Sequence, residues 1–222
     1  MKLPLNKIGI LPRDEELDYP VDEVRALFEK HGIGVCFIEG DEDPTDLDLV
    51  VALGGDGTVL RAFDRFPQCP VIAINFGTVG FLTAGDRKDL AQIVQLLVDG
   101  KYCVSERLVL ACRFPGGEGL VYNEVTLRAR HKLLFTDVFV DDVKIRTIRG
   151  DGVAVGTPTG STGLLMAMGA PLRAAAGYQA ELARSHIHLC SQTSAHGSRT
   201  PHCRPQLNLW TRAVCDAGRH HP

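Results

Sequence analysis

The chain has 222 residues, enough for one large domain or two small ones with a hydrophobic core. Its formal net charge of -3 and the lack of any Lys/Arg-rich run argue against a nucleic-acid-binding protein. No apolar stretch is long enough to span a membrane, and the first residues lack the apolar core of a signal peptide. The seven cysteines are odd in number and irregularly spaced, so we predict a reduced, cytoplasmic protein without a disulfide framework.

The first hundred residues alternate strand-like and helix-like segments. Short apolar runs typical of buried strands occupy residues 7–11, 34–38, 49–53 and 71–75, whereas residues 21–32, 58–66 and 87–100 favour helices. Such alternation is typical of a parallel, doubly wound sheet, whose ligands bind at the carboxyl ends of the strands. We therefore predict an α/β nucleotide-binding domain over residues 1–100.

The pattern changes twice more along the chain. Residues 101–170 consist of strand-like runs joined by turn signals, which predicts a second, mainly β domain. Residues 171–222 contain neither Lys nor Phe, hold six of the eight histidines, and show no sustained apolar period. Such a segment cannot bury enough apolar area to offset the entropy of ordering it. We predict an atypical, mostly disordered tail, and no metal site, since its histidines and cysteines follow no zinc-binding spacing.

Three glycines surround one acidic residue directly after the third predicted strand. Gly54, Gly55 and Gly57 leave backbone N–H groups accessible to an anion, and the helix that follows adds its positive N-terminal end. The spacing predicts a phosphate-binding loop, although it lacks the lysine of a Walker A motif. Asp56 would repel a phosphate, so it either accepts a proton from an attacking hydroxyl, helps to hold a metal ion, or caps the helix. The residues alone leave these alternatives open.

Three further polar stretches could line a ligand site. Asn75 and the glycine-rich loop after it would lie at the same edge of the sheet as the first glycine loop. Asn123 and Glu124 interrupt an apolar strand, where they could bind a base or a sugar hydroxyl. Residues 149–162 place Asp151 between glycines, ahead of a turn rich in hydroxyl groups. Each stretch also has a purely structural interpretation: a loop that plugs the core, an edge strand and an ordinary turn.

Taken together and in this order, the four stretches resemble the ATP-NAD kinase family. The motifs are Gly-Gly-Asp-Gly-Thr, Asn-Phe-Gly-Thr-Val-Gly-Phe-Leu-Thr, Asn-Glu-Val and Gly-Asp-Gly-Val-Ala-Val-Gly-Thr-Pro-Thr-Gly-Ser-Thr, and the resemblance covers residues 7–171. It implies a Rossmann-like α/β N-terminal domain and a β-sandwich C-terminal domain, incomplete here, with NAD bound between them. It also implies phosphoryl transfer from ATP or polyphosphate to the 2′-hydroxyl of the adenosine ribose of NAD, with Mg²⁺. Members of the family are often homo-oligomers.

The resemblance also implies roles for individual residues. Asp56 matches the catalytic acid of the family, and Gly54, Gly55 and Gly57 match its phosphate loop. Besides Asp56, the residues expected to bind NAD are Gly57, Arg61, Phe76, Asn123, Glu124, Arg149, Asp151, Thr159, Thr162, Gly163 and Leu164. No residue of the chain is predicted to form a metal site by itself.

The chain departs from the family after the hydroxyl-rich turn. Leu164 and Leu165 stand where the family has a ring-stacking tyrosine and a serine, and the expected sandwich strands are not recognisable after Pro171. We therefore predict that the residues from about Pro171 onward result from a reading-frame shift. Two alternative functions stay open from the sequence: a lipid or sugar kinase with the same glycine loop, and a non-catalytic remnant that binds nucleotide weakly.

Overall fold

A computed structural model describes residues 3–13, 20–40, 44–77, 80–114, 116–131, 133–172, 186–193 and 206–212. The described residues form two compact units, one up to Glu106 and one from Arg107 to Arg212. The division falls a few residues after the predicted boundary at residue 100. None of the helices in the described part of the chain has both the length and the apolar character needed to cross a membrane.

The first unit contains a five-stranded parallel sheet. Its strands are β1 (Lys7–Pro12), β2 (Gly34–Phe37), β3 (Leu49–Leu53), β4 (Val71–Asn75) and β5 (Gly85–Asp86), in the order β2-β1-β3-β4-β5. The helices are α1 (Val21–Glu29), α2 (Asp56–Arg65) and α3 (Leu90–Asp99). The predicted α/β architecture is confirmed.

The central strands of this sheet are apolar and fully buried. Every residue of β3 and β4 is buried, as expected for central parallel strands with helices on both faces. The amphipathic helices contribute Val24, Phe28, Leu90 and Leu97 to the same core. Gly100 ends α3 in the left-handed conformation, with φ at 71°, which suits glycine because it has no Cβ.

The topology places two loops beside each other at one edge of the sheet. The chain runs from β1 outward to β2 and then returns to the opposite side of β1 to form β3, so the strand order reverses between β1 and β3. In doubly wound sheets ligands bind outside the carboxyl ends of the strands at such a reversal. Arg13 follows β1 there, and Gly54 follows β3.

The second unit is a β-sandwich. Its strands are β6 (Arg107–Phe114), β7 (Gly117–Val121), β8 (Glu124–Arg128), β9 (Leu134–Val140), β10 (Val143–Gly150), β11 (Gly152–Gly156), β12 (His186–Thr193) and β13 (Gln206–Arg212). Six of them form one sheet in the order β10-β9-β12-β13-β6-β7, and β8 pairs with β11 in a second sheet. Val125, Leu127, Val153 and Val155 of the small sheet pack on a core that includes Leu110 of the large one. The short helix α4 (Leu164–Ala167) follows β11.

The structure differs from the sequence prediction in the region after Pro171. There, β12 pairs with β9 and β13 pairs with β6, and the two strands also pair with each other. The sequence signal is a short alternation: Ile187 and Leu189 are separated by a polar residue, and so are Leu207 and Leu209. Each alternation spans only a few residues of a polar region, which is why it was missed. The rest of the predicted tail lies outside the described residues, and the reading-frame shift stays a prediction.

Candidate functional site

The glycine loop after β3 needs its glycines for two different reasons. A Cβ on Gly54 would lie 2.2 Å from Thr58 Oγ1 and 3.0 Å from Arg13 Cβ, so close packing excludes any side chain there. A Cβ on Gly57 would have nothing within 4 Å, so packing does not require glycine at this position. Gly57 instead leaves the first turn of α2 bare toward solvent, which gives an anion access to the backbone.

A pocket of about 320 Å³ lies at this loop, lined by Arg13, Gly55, Gly57, Thr58 and Arg61. Arg61 is partly engaged, since its guanidinium donates to the carbonyl oxygen of Pro12. Guanidinium groups and the N-terminal end of a helix are the partners that phosphate oxygens prefer. Sequence reasoning found Arg61 and the glycines but missed Arg13. Its position directly after β1, at the reversal of strand order, is the signal that could have found it.

Asp56 does not cap helix α2. It is the first residue of that helix, Gly55 occupies the capping position, and no side chain caps this end. The carboxylate turns instead to the loop after β4: its Oδ1 accepts the N–H groups of Phe81 and Leu82, both at 2.9 Å, and its Oδ2 lies 3.1 Å from the Phe81 nitrogen. The capping alternative is therefore wrong, and the carboxylate is held in one orientation.

The loop after β4 uses its own polar groups to keep its shape. Asn75 is 6% exposed, and its amide accepts from the Gly77 N–H at 2.9 Å and donates to Asp86 Oδ1 at 3.3 Å. Phe76 packs partly buried against the core of the first unit, whereas Phe81 is 53% exposed. Of the two aromatic rings in this loop, Phe81 is therefore the one more open to solvent.

In the second unit, the hydroxyl-rich turn (residues 157–162) is hydrogen-bonded to the backbone of Tyr122 and Asn123. The Thr157 N–H donates to the Asn123 carbonyl at 2.8 Å, and the Thr157 hydroxyl donates to the Tyr122 carbonyl at 2.5 Å and accepts from the Gly160 N–H at 3.0 Å. A Cβ on Gly160 would lie 2.3 Å from the Asn123 carbonyl oxygen, so only glycine fits this contact. The structure thus brings together two stretches that are separated by about thirty residues of sequence.

Glu124 presents a buried carboxylate oxygen to this turn. Its Oε2 is buried and has no hydrogen-bond partner among the described residues, and burial raises the pKa of the carboxyl group above its usual value. A Cβ on Gly163 would lie 3.6 Å from that oxygen and 3.5 Å from Asn123 Nδ2. One acceptor and one donor therefore lie side by side next to Gly163.

The other predicted residues of this unit make contacts elsewhere in it. Arg149 is exposed, with its guanidinium 5.6 Å from the centre of the Phe135 ring, and the Asp151 carbonyl accepts the Ala129 N–H at 2.8 Å. In the part of the chain that the structure describes, neither side chain hydrogen-bonds to Asn123 or Glu124. Thr159 is buried, Thr162 Oγ1 donates to the Thr159 carbonyl at 3.3 Å, and Leu164 is 45% exposed.

Comparison with known proteins places the chain in a family. A sequence model of the ATP-NAD kinase N-terminal domain matches residues 40–102. The NAD kinase of Methanosphaera stadtmanae is 37% identical over 187 residues, which cover 75% of this chain and 67% of that protein. The NAD kinase of Thermomicrobium roseum is 35% identical over 132 residues, which cover 57% of this chain and 46% of that protein. The matched part of the chain spans about half the length of several curated relatives.

Solved structures share the fold at low sequence identity. The crystal structure of yeast NADH kinase complexed with NADH matches 98% of this chain and 84% of its own, with a TM-score of 0.73 and 19% identity. That of an NAD kinase from Archaeoglobus fulgidus in complex with ATP matches 95% of this chain and 93% of its own, with a TM-score of 0.76 and 19% identity. The motifs, the fold and the sequence relatives agree, and the chain belongs to the NAD kinase family.

Proposed function

We propose that the protein is an NAD kinase, which transfers the γ-phosphoryl group of ATP to the 2′-hydroxyl of the adenosine ribose of NAD and so makes NADP. Family membership supports the reaction, and one observation carries its assignment to this chain. Asp56, at the start of helix α2, is fixed by the Phe81 and Leu82 N–H groups beside a pocket that suits phosphate. A lipid or sugar kinase and a non-catalytic remnant remain as outcomes of the test.

In this proposal Asp56 accepts the proton of the attacking hydroxyl. A carboxylate offers about two acceptor positions on each oxygen. Oδ1 accepts the N–H groups of Phe81 and Leu82. Oδ2 accepts only the Phe81 N–H, which the two oxygens share. Oδ2 therefore keeps an acceptor position for a substrate hydroxyl. A base held in a fixed orientation contributes both proton transfer and positioning to the rate.

The donor phosphates would occupy the pocket lined by Arg13 and Arg61. Phosphoryl transfer requires that the charge on the phosphate oxygens be neutralised, and two guanidinium groups and the N-terminal end of α2 supply positive charge there. The described residues include no group of three His, Cys, Asp or Glu side chains that could hold a metal ion. Mg²⁺ is commonly held by one or two carboxylates together with substrate phosphates, so the residues fit Mg²⁺ that arrives with ATP. Bound there, it would add to this charge neutralisation.

The acceptor NAD would bind through the second unit. The half-buried Glu124 carboxylate and the Asn123 amide, beside the bare backbone of Gly163, could bind ribose hydroxyls or the adenine amino group. Yeast NADH kinase, whose fold this chain shares, was solved with NADH, and the Archaeoglobus fulgidus enzyme with ATP. The other residues proposed to contact NAD are Phe76, Arg149, Asp151, Thr162 and Leu164. Of the remaining residues that the family resemblance assigns to NAD, Gly57 and Arg61 line the pocket proposed for the donor phosphates, and Thr159 is buried.

A substrate panel tests this function. The purified chain is incubated with ATP and MgCl₂ and with one acceptor at a time: NAD, diacylglycerol or fructose 6-phosphate. Phosphorylation of NAD alone, detected with an NADP-specific dehydrogenase, supports the proposal. Phosphorylation of diacylglycerol or fructose 6-phosphate, with none of NAD, would overturn it. Binding of NAD without turnover would favour the non-catalytic alternative. We propose a cytoplasmic location as well, supported by the odd number and irregular spacing of the seven cysteines.

A further inference from the structure

Asn75 is the last residue of β4, and its side chain forms hydrogen bonds within the protein. It is 6% exposed, so little of its amide can reach a ligand. Its oxygen must face the Gly77 N–H, and its nitrogen must face the carboxylate of Asp86, which fixes the orientation of the amide group. The hypothesis from the sequence, that this amide contacts a ligand, does not explain such an arrangement.

The two partners of Asn75 lie on either side of the residues that hold Asp56. Gly77 comes shortly before Phe81 and Leu82 in the chain, and Asp86 comes shortly after them. Asp86 belongs to β5, where it lies opposite Asn75 in the register between β4 and β5. The Ala84 N–H also donates to the Ala73 carbonyl at 2.8 Å, so the chain just after Leu82 is tied to β4.

We propose that Asn75 is a positioning residue for Asp56. Its buried amide ties the chain before Phe81 to the chain after Leu82, and so holds the N–H groups of these two residues at the carboxylate of Asp56. The path from Asn75 to Asp56 runs through hydrogen bonds of 3.3 Å and 2.9 Å and through the short connection from Asp86 back to Leu82. The catalytic part of this inference rests on the proposed function, whereas the structural part does not.

The chemistry of the Asn75–Asp86 pair allows a test by exchange of the two side chains. Asn75→Asp keeps the acceptor for Gly77 but places a second carboxylate against Asp86, which repels it. Asp86→Asn alone keeps an acceptor oxygen for the Asn75 amide. The double variant Asn75→Asp with Asp86→Asn restores a donor and an acceptor, with their positions interchanged. Gln95→Ala, which removes an exposed hydrogen bond to Asp99 on α3, is the matched control.

Two measurements are made on each variant of the intact chain. In steady-state kinetics, Asn75→Asp should lower kcat by about 10- to 100-fold with the KM values for NAD and ATP within about 3-fold. The double variant should recover kcat to within about 3-fold of the wild type. Asp86→Asn should lower kcat less than Asn75→Asp does, and Gln95→Ala should change it by less than about 2-fold. In hydrogen exchange, the Phe81 and Leu82 amides should exchange at least about 10-fold faster in Asn75→Asp, with unchanged exchange in β3.

The two measurements separate failure of this inference from failure of the proposed function. If the wild-type chain makes no NADP, the proposed function fails, and exchange at Phe81 and Leu82 still decides whether Asn75 positions them. Unchanged exchange at both amides in Asn75→Asp overturns the inference whatever the rates are. The inference is also overturned if the double variant has a kcat as low as that of Asn75→Asp. Faster exchange in β3 as well would also overturn it, because that would indicate general destabilisation.

Discussion

The backbone N–H of Phe81 lies within hydrogen-bond distance of both carboxylate oxygens of Asp56, at 2.9 Å from Oδ1 and 3.1 Å from Oδ2. This contact joins the loop after β3 to the loop after β4, two neighbouring parallel strands. Parallel strands bring their carboxyl ends to one edge of the sheet, so residues far apart in the chain meet there. The orientation of the proposed catalytic base is therefore set by a loop other than its own.

Asp56→Asn should lower kcat by about 10²- to 10⁴-fold and leave the affinity for NAD within a few-fold, because asparagine cannot accept the proton of the hydroxyl. The amide oxygen can still accept the Phe81 and Leu82 N–H groups, so the fold should be kept. Steady-state kinetics and isothermal titration with NAD measure the two effects. Asp64→Asn, at an exposed position of the same helix, is the control and should change kcat little. Equal losses in both variants would contradict a role for Asp56 as base.

Arg13→Ala should raise the KM for ATP and leave the KM for NAD unchanged. A charge-assisted hydrogen bond of a guanidinium to phosphate contributes roughly 1.5–3 kcal/mol, which corresponds to an increase of about 10- to 150-fold. Initial rates at varied ATP and at varied NAD measure both constants. Arg65→Ala, which removes a positive charge from the same helix as Arg61 but outside the pocket, is the control. A normal KM for ATP in Arg13→Ala would show that the phosphates do not bind in this pocket.

Glu124→Gln should change the stability of the protein in a way that depends on pH. Burial raises the pKa of Glu124, so its contribution to stability is fully present below the ordinary pKa of glutamate, about 4.3, and is lost as the pH rises through the raised value. The Tm of Glu124→Gln should therefore rise relative to the wild type between pH 4 and pH 7. Thermal melts across this range measure it, with Glu118→Gln, an exposed position of β7, as the control. A constant difference in Tm would contradict the shifted pKa.

Glu124→Gln should also bind NAD more weakly, because a glutamine presents an amide where the wild type presents a carboxylate. Isothermal titration at neutral pH is the measurement. Higher stability together with lower affinity would be the signature of a residue kept for binding rather than for folding. Unchanged affinity would show that the Glu124 carboxylate does not contact the ligand.

Leu164→Tyr should tighten NAD binding by roughly 0.5–1.5 kcal/mol, the range expected for a well-placed aromatic contact. Leu164 is 45% exposed at the start of α4, so a ring can be accommodated without crowding a core. Isothermal titration with NAD compares this variant with Val143→Tyr, which adds a ring at an exposed position of β10. An equal effect of both substitutions, or none of the first, would show that the turn does not hold its ligand as the family resemblance implies.

The sequence was informative where local chemistry decides the structure. Gly54 after an apolar strand and Gly100 at the end of α3 predicted the loop and the helix end, because close packing at the first position and a left-handed backbone at the second favour glycine. The buried strands β3 and β4 were recognised from unbroken apolar runs. The resemblance of the four motifs to one family also predicted the order of the α/β and β-sandwich domains along the chain.

The sequence was uninformative where the outcome depends on tertiary pairing. Nothing in the local sequence distinguishes Arg13 from other arginines, because it reaches the glycine loop only through the reversal of strand order between β1 and β3. The orientation of Asp56 depends on N–H groups that belong to another loop. Strands β12 and β13 have too short an alternation to stand out, and they take their place by pairing with β9 and β6.

Transfer of labelled phosphate from [γ-³²P]ATP to NAD tests the central claim most directly, with an NAD analogue that lacks the 2′-hydroxyl of the adenosine ribose as the comparison. The intact chain should label NAD and not the analogue, and the labelled product should be a substrate for an NADP-specific dehydrogenase. Equal labelling of NAD and the analogue, or no labelling of NAD by a folded chain that binds it, would contradict the claim.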